Sequence, residues 1–337
     1  MSFKQKKFAL TLRVWKIDWR KVFFSKFSSY DNCPNHKLME IATTEIQAAK
    51  VIGLREKLAG FLELTKPRIA FMLVLTSAAG FYLGSKSDFN FVLFFNSMVG
   101  IALLAFGVAT LNQFIERRTD ALMERTAKRP LVIGTISAAE ALIFGVSLCV
   151  VAEIYLAFLV NGLTAFLGLI VIVGYVFLYT PLKTRTSAST AIGAIPGAMP
   201  PLMGWTSAAD EITLGAWILF AMLFLWQFPH FLAIAWMYRE QYAKAGIKML
   251  PVVEPEGKIT ARQIVIFTIL LLPVSVMPYF FGVSGVIYLI GASLLGIWFL
   301  WASIRAARAK TNEKARALLL VSVLYLPIIF ALMVFNH

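Results

Sequence analysis

The sequence predicts an all-α polytopic membrane protein of about nine transmembrane helices, and three observations carry that prediction. Apolar residues make up 59% of the 337 residues and charged residues 15%, against roughly 45–50% and about 25% in soluble domains. The mean hydropathy is correspondingly high, at +0.75. Apolar runs of about 20 residues, the length that crosses a hydrocarbon core, recur along the chain. The connections between these runs alternate in charge. The net charge of +14 therefore reads as basic loops on one membrane face and not as a nucleic-acid surface.

Residues 1–55 differ from the rest. Lys4, Lys6, Lys7, Arg13, Lys16, Arg20, Lys21 and Lys26 are interspersed with Trp and Phe, and no apolar core of signal-peptide form follows them. The arm makes a poor transit peptide, because Lys outnumbers Arg and Asp18 interrupts it. It reads as a loosely ordered cytosolic arm, on anionic lipid or dispensable, with Met39 as a shorter start. Residues 56–337 form the transmembrane domain. Leu58 to Leu64 are an amphipathic lead-in. Pro67 then opens the first span, where its missing N–H costs little.

Spans follow near 69–85, 91–112, 137–158, 162–180, 190–206, 213–237, 262–281, 284–303 and 317–335. The fifth carries Pro196, Pro200 and Pro201 among Gly193, Gly197 and Gly204, so it should be kinked or broken. Irregular backbone in a membrane survives only inside protein or beside a cavity. Loops after the even spans hold Arg125, Lys128 and Arg129, then Lys183 and Arg185, then Arg239, Lys244, Lys248 and Lys258, then Arg305, Arg308, Lys310 and Lys314. Loops after the odd spans are short or acidic, with Lys86 as the basic exception. The positive-inside rule puts the N-terminus and the even loops in the cytoplasm and the C-terminus outside. Cys33 and Cys149 lie too far apart for any metal-ligand spacing and read as unpaired thiols.

Three stretches carry chemistry. Asn112, Glu116 and Asp120 are spaced four apart and share one face of a helix end. Neighbouring carboxylates repel unless a cation lies between them, and Mg²⁺ takes oxygen ligands and bridges to phosphates. Arg117, Arg118, Arg125, Lys128 and Arg129 interleave or follow. Acids for a metal and bases for an anion suggest a diphosphate site, against the plainer reading of a wetted helix end with exposed ion pairs. Tyr179 and Lys183, again four apart, either anchor the interface or hold a phosphate oxygen, with Arg185 beside them. Pro229-His230 sits inside the sixth span. His230 is either a buried histidine satisfied by the carbonyl that Pro229 frees, or an iron ligand or proton handler. Trp226, Phe228, Phe231 and Trp236 crowd that helix, to face an allylic cation or simply to pack.

Taken together, these stretches resemble the heme O synthase branch of the UbiA-type intramembrane prenyltransferases. The matching pieces are Leu64-Thr65-Lys66-Pro67-Arg68, the Asn112-Glu116-Asp120 row, Glu124 to Leu131, Tyr179 to Thr186, Pro200-Pro201-Leu202-x-Gly204-Trp205, Pro229-His230-Phe231 and Tyr242 to Pro251. They cover about 58–335. The acid row is generic to the superfamily; the Pro-His-Phe and Ala-Gly-Ile-x-Met-Leu-Pro pieces point to the heme branch.

The resemblance implies nine helices around a cavity with a cytoplasmic cap, and farnesyl transfer from farnesyl diphosphate to heme B, giving heme O and diphosphate. It implies Mg²⁺ as cofactor, held by Asn112, Glu116 and Asp120. The second acidic motif of the superfamily is reduced here to Glu240, as a lone further ligand. Lys183 and His230 join the acid row as catalytic residues, with Lys66, Arg125, Lys128, Arg129, Tyr179 and Arg185 on the substrate. The expected membrane is a bacterial plasma membrane rather than a mitochondrial inner membrane. Candidate protein partners are a heme A synthase or oxidase assembly proteins. Two rival readings stand beside this one: a sister prenyltransferase acting on an aromatic quinone precursor, and a small-molecule transporter. The transporter would need no acids clustered with bases at one mouth, and the chain shows no obvious internal repeat.

Overall fold

A computed structural model describes residues 53–85 and 89–337. The predicted arm, with Cys33 and Met39, lies almost wholly outside the described residues, as does Lys86. Helix α1 (Leu54–Leu64) lies ahead of the first span, α2 (Pro67–Gly84). The bundle continues with α3 (Phe91–Asp120), α4 (Ala138–Leu159) and α5 (Gly162–Leu182). Next come a broken pair, α6 (Ser189–Gly197) and α7 (Met199–Ala209), and then α8 (Leu214–Met237). Two short helices, α9 (Arg239–Lys244) and α10 (Leu250–Val253), precede α11 (Lys258–Phe280), α12 (Val286–Ala309) and α13 (Asn312–Phe335).

Eight helices among the described residues are long and apolar enough to cross a membrane. The fifth predicted span is the α6–α7 pair, so the count of nine holds with one crossing made in two pieces. The break falls where the prolines require it. Pro200 and Pro201 have no N–H to continue the α6 ladder, and they fit the first turn of α7 instead. Ala198 joins the two halves, and its N–H still closes onto Ala194 and Ile195.

Lipid tails give helices no hydrophobic reason to associate, so close backbone approach and interhelical hydrogen bonds do the work. The tightest crossing joins α2 to α7. A Cβ on Gly204 would run into the Ser77 carbonyl oxygen, and one on Gly80 into that of Pro201. Ser77 Oγ donates to the Pro200 carbonyl across the same contact, at 2.8 Å. In the later half of the chain, Tyr288 Oη donates to the Ser275 carbonyl at 2.6 Å and Thr268 pairs with Ser303 at 2.9 Å.

The long connections meet at one end of the bundle. The Arg125 N–H reaches Gln241 Oε1, the Lys248 N–H donates to the Lys183 carbonyl at 2.7 Å, and Lys310 Nζ donates to the Glu256 carbonyl. These contacts assemble the segments after α3, α5, α8 and α12 into a cap. The C-terminal residues lie at the other end, where the Gly285 N–H donates to the Asn336 carbonyl.

Candidate active site

The site sits where the cap meets the bundle. The last turns of α3 carry Asn112, Glu116 and Asp120 on one face, as the four-residue spacing requires. Each is met by a basic side chain from a different segment. Lys66 Nζ donates to Asn112 Oδ1 at 2.8 Å. Lys183 Nζ donates to Glu116 Oε1 at 2.6 Å. Arg129 forms a short ion pair with Asp120. Asn112 and Asp120 are almost wholly buried. Polar groups at this depth would be expensive unless partnered, and each of the three has a partner.

Local backbone delivers these cations. Lys66 caps α2 in the left-handed conformation, with φ 48°, which costs an L-residue about 1–2 kcal/mol. Such backbone strain gathers at functional sites, and here it lies directly beside the acid row. Pro67 adds to the constraint, since a residue before proline is pushed away from helical conformations. Lys183 follows a π-helical segment, Val173–Tyr179, near the end of α5. Such segments are frequent at functional sites. Thr180 Oγ1 donates back to the Tyr175 carbonyl and accepts from Asn112 Nδ2 at 3.2 Å. Tyr175 and Tyr179 stack edge to face, and Lys183 Nζ lies 4.4 Å above the Tyr179 ring. Gly193 on α6 makes room for that ring, which a Cβ there would strike.

Charge divides the two lysines. Burial, and then the nearby Arg129 charge, push the Lys66 ammonium down to about 7. Burial also pulls on Lys183, but the Glu116 carboxylate outweighs it and holds the ammonium well above its ordinary value. Lys183 is a permanent cation; Lys66 changes charge near neutrality.

Below this cluster lies a cavity of about 610 Å³, within the range of roughly 300–1,000 Å³ usual for small-molecule sites. Its mouth is formed by Lys66, Arg68 and Tyr179, and its wall continues through Ile101, Leu104 and Met203 to Leu326. His230 lies in the wall. Its partner is the Ser322 hydroxyl of α13, at 2.8 Å from Nδ1, and not the carbonyl that Pro229 frees. Trp226 and Phe231 also line the cavity, while Phe228 stacks on Phe267 and Trp236 packs near Gly257. Of the four aromatic residues singled out on this helix, two face the cavity and two pack.

The other residues that the sequence singles out fall elsewhere. Arg125 engages α9: its guanidinium reaches Tyr242 Oη and lies over the Tyr238 ring at 5.1 Å. Lys128 and Arg185 lie at the outer surface of the cap. Glu240 is not linked to the cluster; its side chain is 84% exposed and faces Arg239 at 3.8 Å. Sequence reasoning missed Thr180, Tyr175, Gln227 and Ser322. Single polar residues in apolar helices carry no periodic signal, and only the fold places them beside the cavity.

Among the described residues, no three His, Cys, Asp or Glu side chains gather into a metal cluster. The acid row offers two carboxylates and an amide. That all-oxygen set fits Mg²⁺, which usually takes one or two carboxylates and completes its shell with water and substrate phosphate.

A family model described as the UbiA prenyltransferase family matches residues 73–330. A protoheme IX farnesyltransferase of Solibacter usitatus is 48% identical over 286 residues, spanning 82% of this chain and 98% of that relative. One from Koribacter versatilis is 42% identical over 295 residues, spanning 85% and 95%. Among solved structures, a digeranylgeranylglyceryl phosphate synthase superposes with a TM-score of 0.71 at 18% identity, covering 83% of this chain and 98% of that one. A UbiA homolog from Archaeoglobus fulgidus bound to DMAPP and Mg²⁺ gives 0.60 at 19% identity, covering 81% and 98%. At such identities the two structural likenesses bear on the fold alone.

Proposed function

The chain belongs to the UbiA prenyltransferase family, and from that premise we propose how its site works. The enzyme transfers the farnesyl group of farnesyl diphosphate to a vinyl group of heme B, giving heme O and diphosphate. One observation carries the assignment of the site. Lys66, Lys183 and Arg129 converge on Asn112, Glu116 and Asp120 at the mouth of an apolar cavity.

Mg²⁺ held by Asn112, Glu116 and Asp120 would neutralise the diphosphate and ease its departure. Lys66, Lys183 and Arg129, the cations that meet the acid row, are the groups placed to hold diphosphate oxygens. Arg125, Lys128 and Arg185 add positive charge around the mouth and draw the anion in. As the farnesyl C–O bond breaks, negative charge grows on the leaving group, and the fixed ammonium and guanidinium groups stabilise it without reorganising. The cavity wall keeps water from the allylic cation, with the Tyr175, Tyr179, Trp226 and Phe231 rings presenting apolar faces to it. The vinyl terminal carbon bonds to the farnesyl carbon. The positive charge passes to the neighbouring carbon, water adds there, and one proton leaves. His230 is the cavity group suited to placing the heme or accepting that proton. Glu240 remains a candidate further ligand only if α9 moves toward the mouth.

We read the capped end as cytoplasmic and the membrane as a bacterial plasma membrane. The basic even-numbered loops and the poor transit-peptide character of residues 1–55 support this. A heme A synthase or an oxidase assembly protein would be the recipient of the product.

The test is mass spectrometry of heme after incubating the purified chain with heme B, farnesyl diphosphate and Mg²⁺. A heme species heavier by the hydroxyethylfarnesyl change is expected. Unchanged heme B would overturn the reading.

A further inference from the structure

Ser322 has one hydroxyl hydrogen and two neighbours. Its Oγ donates to the Leu319 carbonyl at 2.7 Å. It also lies 2.8 Å from His230 Nδ1. A hydroxyl hydrogen committed to a carbonyl cannot also point at the imidazole, so toward His230 the oxygen accepts. This arrangement corresponds to the tautomer with the proton on His230 Nδ1. The neutral ring then has its lone pair on Nε2, and no described residue bonds to that atom. The ring lines the cavity.

The ring is also held in place. Trp226 stacks on it at 4.5 Å with an interplanar angle of 23°. The Trp226 indole N–H donates to the carbonyl of the same Ser322 at 2.9 Å. One residue of α13 thus fixes both aromatic partners on α8, one through its side chain and one through its backbone.

A neutral imidazole with its far nitrogen anchored and its near nitrogen bare is how proteins present histidine to a metal. The hydrogen bond on the far nitrogen sets the tautomer and raises the basicity of the ligating one. The substrate named above contains an iron. We propose that His230 Nε2 is the axial ligand that seats heme in the cavity, and that Ser322 is the positioning residue that fixes its tautomer and orientation. The proposal rests on the heme-prenylating reading of the site. It adds what that reading leaves open, namely where the porphyrin iron sits and what sets its register against the diphosphate clamp.

The test uses the full chain in detergent, titrated with heme B without prenyl diphosphate, so that binding is read apart from turnover. The wild type should bind heme and, when reduced, show an iron–histidine stretch by resonance Raman. His230→Ala should lose that band, and added imidazole should restore it. Ser322→Ala should shift the band and weaken heme binding about 10–100-fold, the usual effect of removing a partner behind a metal-bound histidine. Ser322→Thr should restore both. A purely structural role for Ser322 would leave the band unmoved in the folded fraction of Ser322→Ala. An unchanged band in His230→Ala would overturn the ligand assignment while leaving farnesyl transfer standing. No heme binding by an active wild-type chain would likewise overturn the ligand assignment. No heme binding together with no heme product would sink the reading beneath it.

Discussion

Lys183 Nζ lies 2.6 Å from Glu116 Oε1, joining the end of α5 to the last turns of α3, with both side chains less than one-sixth exposed. A pair this deep owes little of its geometry to solvent. It fixes the two helices that carry most of the site, and the Lys248 N–H ties the cap to the same residue through the Lys183 carbonyl. The acid row and the cap therefore share one lysine.

Removing one member of that pair leaves a buried charge uncompensated, which typically costs about 3–5 kcal/mol. Lys183→Met should lower stability by roughly that amount in metal-free protein. Glu116→Gln should cost less, because the amide still accepts from the ammonium. The double variant should recover at least about 1 kcal/mol of the summed losses. Thermal unfolding in detergent measures the cycle; strict additivity would show that the pair is not coupled. All three variants should lose turnover.

Asp120 and Glu240 should separate cleanly. Asp120→Asn keeps the volume and a hydrogen-bond acceptor for Arg129 but removes the charge, so turnover should fall at least about 100-fold with the protein still folded in the membrane. Full Mg²⁺-dependent activity in that variant would defeat the metal assignment. Glu240, exposed and turned to Arg239, should tolerate Glu240→Gln with the Mg²⁺ requirement unchanged. A rise in the Mg²⁺ concentration needed for half activity would show that α9 closes to bring this carboxylate in.

Why is one half of this site legible in the sequence and the other not? Asn112, Glu116 and Asp120 repeat every four residues, and periodicity along one helix survives in one dimension. So does hydropathy, which places every span, and so do the prolines that break the fifth. Lys66 against Asn112 joins residues 46 apart through a left-handed turn, and no local pattern encodes that. The π-helical stretch before Thr180, closed by a hydrogen bond from the Thr180 hydroxyl to the Tyr175 carbonyl, reads in sequence as ordinary apolar helix. Ser322 is one small polar residue in a long apolar run. Charge alone marks Arg125 for the substrate, and only the fold shows its guanidinium over the Tyr238 and Tyr242 rings.

The α2–α7 crossing should be the least forgiving packing contact in the membrane portion. At Gly204 the obstructing atom is the backbone carbonyl oxygen of Ser77, so no side chain can swing aside. Gly204→Ala should destabilise by about 1–3 kcal/mol, the range for overpacking, and push α7, whose Pro200 and Met203 line the cavity, away from α2. Gly162→Ala, where nothing lies within 4 Å, is the control and should stay near the wild type. Equal melting temperatures for the two variants would contradict the close approach.

Lys66 should leave a pH signature in the metal-free protein. Its ammonium sits at about 7 when folded, lowered by burial and by Arg129, against 10.5 when unfolded. Above 10.5 the group is neutral in both states and contributes nothing. Between 7 and 10.5 the unfolded chain holds a proton that the folded chain does not, so falling pH favours unfolding. Below 7 both states are charged and the penalty is constant. Stability from this group therefore rises with pH through that window, by at most about 1 kcal/mol per unit once partial exposure is allowed for. Lys183 behaves in the opposite sense: its pKa is raised on folding, so it stabilises below 10.5 and loses that contribution as pH climbs beyond. The difference in melting temperature between wild type and Lys66→Met, followed from pH 6 to 10 in detergent, isolates the Lys66 contribution. Lys66→Met should be more stable than wild type at the acid end, and the gap should close as pH rises. A constant gap would mean that Lys66 keeps its charge throughout, held by Asn112 and the acid row more firmly than burial opposes it.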